Sequence, residues 1–142
     1  MTVTNIKNYR KLQQTRINIL KKGKRRGPIT AAKFMAAQLR KLAPYSKGNV
    51  RNSIRRSKNS VRVSGTDPRT GFPYIHWLNA TPGSGLERIR LKFPFGDGSI
   101  KSYADVAKTG TPGFFWIAER KSAKFYRDIM LRNTRNALMA KI

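Results

Sequence analysis

A chain of 142 residues with 31 Lys and Arg against 6 Asp and Glu carries a formal charge of +25, and it contains no cysteine. That length fits one domain with its own core, and the lack of thiols excludes disulfide frameworks, thiolate metal sites and cysteine catalysis. No apolar run approaches the ~20 residues of a membrane-crossing helix, and the basic residues 1–26 have no continuous apolar core, so they do not read as a secretory signal.

The charge is uneven. Residues 1–66 hold 18 basic residues and no acid, whereas residues 67–142 hold 13 bases and all 6 acids. Such asymmetry marks a half that faces a polyanion or an acidic surface. Self-repulsion at this density favours a neutralising partner. Charge that serves solubility alone is the plainer alternative.

Taken in order, residues 4–22 read as a basic helix, with Ile6, Tyr9, Leu12, Ile17 and Leu20 at roughly helical spacing. The run Lys21-Lys22-Gly23-Lys24-Arg25-Arg26-Gly27-Pro28 then carries two glycines and a proline among five positive charges, which predicts a break and a flexible or partner-ordered loop. Residues 1–27 are therefore expected to form a basic arm, and residues 28–142 a single domain. A second helix is expected from an N-cap at Thr30. Its stripe is Ala31, Phe34, Met35, Gln38, Leu39 and Leu42, widened by Ala32, Ala36 and Ala37.

Pro44 ends that helix. The segment Ala43-Pro44-Tyr45-Ser46-Lys47-Gly48-Asn49-Val50-Arg51-Asn52-Ser53-Ile54 turns on Gly48-Asn49 and opens a polar, strand-like stretch. Residues 53–57 and 61–64 alternate about Lys58-Asn59 and predict a hairpin. After a turn at Asp67-Pro68-Arg69-Thr70-Gly71, residues 72–78 are aromatic-rich and fit a strand or a short helix equally. Residues 86–95 alternate basic and apolar, as a strand with one basic face. Gly96-Asp97-Gly98 gives a turn, and residues 100–106 return as a short strand or helix. Thr111 is expected to cap a last helix with Pro112 at its first position. Phe115, Ala118, Phe125, Ile129 and Met130 form its buried face as far as Leu131, and the polar residues 132–136 weaken the signal before Leu138.

Catalytic material is scarce. His76 could act as a general base and Ser53 or Ser64 as a nucleophile, but no flanking signature supports a triad. A lone histidine between Ile75 and Trp77 is more often a packed structural residue. Asp97 and Asp105 are too loosely spaced for a magnesium site, and Gly96-Asp97-Gly98 lacks the lysine of a phosphate-binding loop. The expectation is no enzyme, no metal and no cofactor. Phe72, Tyr74, Trp77, Phe93 and Phe95 could stack on single-stranded bases or serve as assembly anchors, with core filling the plainer reading. Lys21, Lys22, Lys24, Arg25, Arg26, Arg51, Arg55 and Arg56 are the candidate contacts to nucleic acid or an acidic partner. Without a base-reading signature, such contact is to phosphate and neutral to sequence.

Three segments in order resemble the head–tail joining and tail-completion proteins of long-tailed bacteriophages, in particular the gene-ten-like minor tail family. They are Ala43-Pro44 with Gly48, Arg51 and Ser53-Ile54; then Tyr74-Ile75-His76-Trp77-Leu78-Asn79; then Pro112-Gly113-Phe114-Phe115-Trp116-Ile117-Ala118. The resemblance spans about residues 30–140. It implies a small α+β subunit, with a mostly antiparallel sheet packed by a helix from the N-terminal half and a C-terminal helix. It also implies a homo-oligomeric ring, often six-fold, in the virion neck between capsid connector or stopper and tail tube or tail terminator, around the DNA channel. A sequence-neutral nucleic-acid-binding protein of ribosomal or nucleoid type is the alternative, and a hydrolase using His76 a distant third.

Overall fold

The computed structural model describes residues 3–43, 49–64, 79 and 110–141. Helix α1 is Val3–Leu42, 40 residues long, or about 60 Å at 1.5 Å per residue. It runs straight through the expected break and across the 27/28 boundary, so the loop expected at residues 21–28 is helix. Within a helix a glycine costs about 1 kcal/mol and an interior proline about 3 kcal/mol relative to alanine. Local propensity therefore predicted a stop here. Tertiary packing overrides it: Gly23 and Gly27 are both buried, and both face the C-terminal helix. Pro28 lies inside α1 and offers no N–H to the Lys24 carbonyl. Thr30, expected as an N-cap, sits mid-helix and donates its hydroxyl to the Arg26 carbonyl at 3.0 Å.

The strand-like stretch expected after the turn is instead a short helix, α2, Asn49–Ser53. The hairpin follows as expected: β1, Arg55–Arg56, pairs antiparallel with β2, Val61–Arg62, in the register Arg55 opposite Arg62 and Arg56 opposite Val61. Its turn is closed by Ser57 N–H donating to the Ser60 carbonyl at 3.0 Å and by a hydrogen bond between the Ser57 and Ser60 hydroxyls.

The last helix, α3, is Phe114–Leu138, so residues 132–136 continue it rather than end it. Thr111 and Pro112 lie before it, and the N-cap is Gly113 at φ 68°, a left-handed conformation that suits a residue without Cβ. Thr111 serves differently, donating its N–H to the Leu42 carbonyl at 2.9 Å and tying the approach to α3 onto the end of α1.

Helices α1 and α3 pack antiparallel. At one end Ala36, Leu39 and Ala43 meet Val50, Ile54, Phe114 and Ala118 in the main core, with Met35, Leu42, Val61, Val63 and Phe115 around it. Further along, Phe34 stacks on Phe125 with centroids 4.2 Å apart, Gly27 faces Tyr126 and Met130, and Gly23 faces Asn133. At the far end the Arg16 guanidinium donates to the Leu138 carbonyl at 3.3 Å. This is an α+β chain, mostly helical, with a small antiparallel sheet against two long helices.

The expected elements at residues 72–78, 86–95 and 100–106, with His76, Asp97 and Asp105, lie outside the described residues. No helix among the described residues is long and apolar enough to cross a membrane.

Candidate polyanion groove, corner and helix overhang

Three places on this scaffold gather chemistry. The first is a groove of about 440 Å³ where α1 crosses α3. Lys22, Arg26 and Thr30 recur one turn apart on α1 and so share a face, while Asn133 and Asn136 reach in from α3. Gly23 and Gly27 form the floor. Because neither bears a side chain, α3 approaches the α1 backbone closely and leaves a cleft between the flanking long side chains. Among the described residues the polar set is two cations, two carboxamides and a hydroxyl, with no carboxylate in the lining. Two apolar residues, Ile19 and Ile129, complete it.

The second is the corner joining α1, α2 and the hairpin. Arg51 donates Nε to the Ala43 carbonyl at 3.2 Å, and Arg40 donates to the Ile54 carbonyl at 3.2 Å. Carbonyls at a helix C-terminus have no partner within the helix and carry its negative pole, so a guanidinium there both satisfies and stabilises it. Ser53 donates to the Val50 carbonyl at 2.7 Å, and Arg55 donates to the Asn52 carbonyl. At the start of α3, Asn79 accepts the Phe115 N–H at 2.9 Å. Phe115 is the second residue of α3, and its N–H is among the four that a helix N-terminus leaves unpaired. Asn79 supplies the side-chain cap that Thr111 was expected to give.

The third is the overhang. Arg16 reaches Leu138 at the end of α3, and residues 3–11 beyond it are all exposed. Val3 is 70% exposed, Ile6 40% and Tyr9 58%, and Ile17 and Leu20 are more than two-fifths exposed on the same helix.

The predicted basic contacts are thus divided. Lys22 and Arg26 line the groove, while Lys21, Lys24 and Arg25 are exposed on the same turns outside it. Arg55 and Arg56 are exposed on the hairpin, and Arg51 is half-buried in the corner. Counting from Arg26 to Arg40, the two groups lie about 20 Å apart along α1. The predicted contacts therefore do not form one patch. Phe72, Tyr74, Trp77, Phe93 and Phe95 lie outside the described residues. Sequence reasoning missed Thr30, Asn133 and Asn136 as groove residues. The available signal was the four-residue interval between Gly23 and Gly27, which places both on one helix face but was read as a breaker. Among the described residues no group of His, Cys or carboxylate side chains is arranged to hold a metal. Compared with known protein families, curated proteins and solved structures, the chain matches none.

Proposed function

We propose that this chain is a docked structural subunit of a bacteriophage neck or tail, of the head–tail joining or tail-completion kind that its motifs resemble. The observation that carries the reading is the meeting, at one corner, of described residues from each of the three motif segments. Ala43 and Ile54 from the first motif pack with Phe114 and Ala118 from the third, and Asn79 from the second accepts the Phe115 N–H. Residues set far apart in the sequence and drawn from the three resembling segments thereby build one packed junction.

The overhang gives the docking step a physical basis. The exposed start of α1 carries Ile6 and Tyr9, and a neighbour that covers it removes their apolar surface from water. Apolar and aromatic anchors of this sort carry most of an interface's energy. The subunit works through shape and positive potential: it completes one ring and presents a surface to the next.

Size-exclusion chromatography with light scattering, followed by negative-stain imaging with connectors or tail tubes, tests this. The expected result is a defined ring, alone or on addition of either partner. A strictly monomeric protein that ignores both would end the proposal.

A further inference from the structure

We infer that the groove between α1 and α3 is a binding site for the sugar–phosphate backbone of nucleic acid. The inference goes beyond the docking proposal and does not depend on it. Lys22 and Arg26 put two cations on one face of α1, and with no carboxylate among the described lining residues their charge is not neutralised within the groove. Asn136 adds an amide donor from the facing helix, while the Asn133 amide packs against Gly23 at the edge of the groove. The one hydroxyl in the lining, on Thr30, is already spent on the Arg26 carbonyl. The site is therefore rich in donors and positive charge, which suits a ligand that only accepts hydrogen bonds and carries negative charge.

Shape narrows the class further. A groove of about 440 Å³ is larger than one phosphate group needs. It lies between the helices, and Lys21, Lys24 and Arg25, exposed on the same turns of α1, add positive potential near it. Among the described residues no aromatic side chain lines it, so its contacts are to the backbone and neutral to sequence. An acidic protein segment offers carboxylates at irregular spacing. A nucleic-acid backbone offers a phosphate at every residue, matched to Lys22 and Arg26 one helical turn apart.

The test uses the full chain, a labelled mixed-sequence DNA duplex and fluorescence anisotropy across a salt series. Lys22→Gln/Arg26→Gln is compared with Lys7→Gln/Lys11→Gln, which removes the same charge from the exposed overhang. The groove variant is expected to bind ~10-fold or more weakly and to lower the slope of log affinity against log salt by about 2, since each neutralised phosphate contributes about 0.9. The overhang variant is expected to retain both. Asn136→Ala, which changes no charge at an exposed residue, is expected to weaken binding several-fold at an unchanged slope. Thermal melts confirm that each variant folds. Equal losses in the two double variants, or none in either, would overturn the assignment. So would a groove variant that keeps its duplex affinity and loses binding to polyglutamate, because the ligand would then be an acidic protein. None of these outcomes bears on ring formation, which the docking experiment reads separately.

Discussion

Gly23 is packed against Asn133 so closely that a methyl group on the glycine would lie 2.7 Å from Cγ of the asparagine, well inside normal contact. At Gly27 the same addition would meet the ends of Tyr126 and Met130 at 3.2 and 3.3 Å. The two glycines share a spacing and a face, yet they tolerate change differently. The Asn133 side chain lies along Gly23 from its terminal amide Nδ2, the nearest atom, back to Cβ at 3.0 Å, so all of it would have to move, whereas Gly27 faces an aromatic edge and a thioether that can shift.

Alanine at these positions should therefore give opposite results. Replacing glycine in a helix gains about 1 kcal/mol from propensity, and overpacking typically costs 1–3 kcal/mol, so ~2 at Gly23. Gly23→Ala is expected to lower stability by ~1 kcal/mol in urea denaturation, and Gly27→Ala to be neutral or slightly stabilising. Adding Asn133→Ala to Gly23→Ala should restore the loss, a coupling that a double-mutant cycle measures directly. Additive effects would mean that the two residues are not in contact.

Ser122 is buried, at 8% exposure, and its hydroxyl has no hydrogen-bond partner among the described residues. An unpaired buried polar group costs ~1–3 kcal/mol, and alanine is the better helix former. Ser122→Ala should raise stability by ~1 kcal/mol and increase Tm in a thermal melt. A lower Tm would show that the hydroxyl is satisfied in solution.

Truncation separates the overhang from the packed part of α1. Deleting residues 1–11 removes, among the described residues, only exposed positions and should leave the Tm within a few degrees while weakening ring formation. Deleting residues 1–27 also removes Arg16, Gly23 and Gly27 from the face of α3. That deletion should produce a partly unfolded, aggregation-prone chain, visible by circular dichroism. Equal stability of the two truncations would contradict the helix pairing.

Arg51 offers a division between folding and charge. Lysine keeps the positive charge but lacks the planar fork, and the bond from Nε to the Ala43 carbonyl is lost. Arg51→Lys should lower stability by ~1.5–3 kcal/mol, the range for a hydrogen bond from a charged donor. Its DNA affinity and salt slope should be unchanged. A shallower slope would move Arg51 from the corner's framework to the binding surface.

The corner shows how much was legible beforehand. The hairpin about Lys58-Asn59 followed from alternation and turn chemistry, and the apolar stripe containing Leu39 followed from helical periodicity. Both signals are local. The cap of α3 was not legible, because Thr111 has the right chemistry in the right place, yet the N–H of Phe115 is taken by Asn79, 36 residues away. Nothing within a few residues of either position records that pairing. The groove was half legible: its cations stood out as a charge run, but its carboxamides come from another helix.

Taken alone, the sequence determined the charge and its concentration in residues 1–66, because these depend on composition, while the α+β character was what the resemblance of its motifs implied. Only the tertiary structure decided that residues 21–28 are helix. Gly23, Gly27 and Pro28 oppose a helix in isolation, and what outweighs them is the close packing of α3 on the glycine face. That contribution arises only when two segments about a hundred residues apart in the chain are brought together.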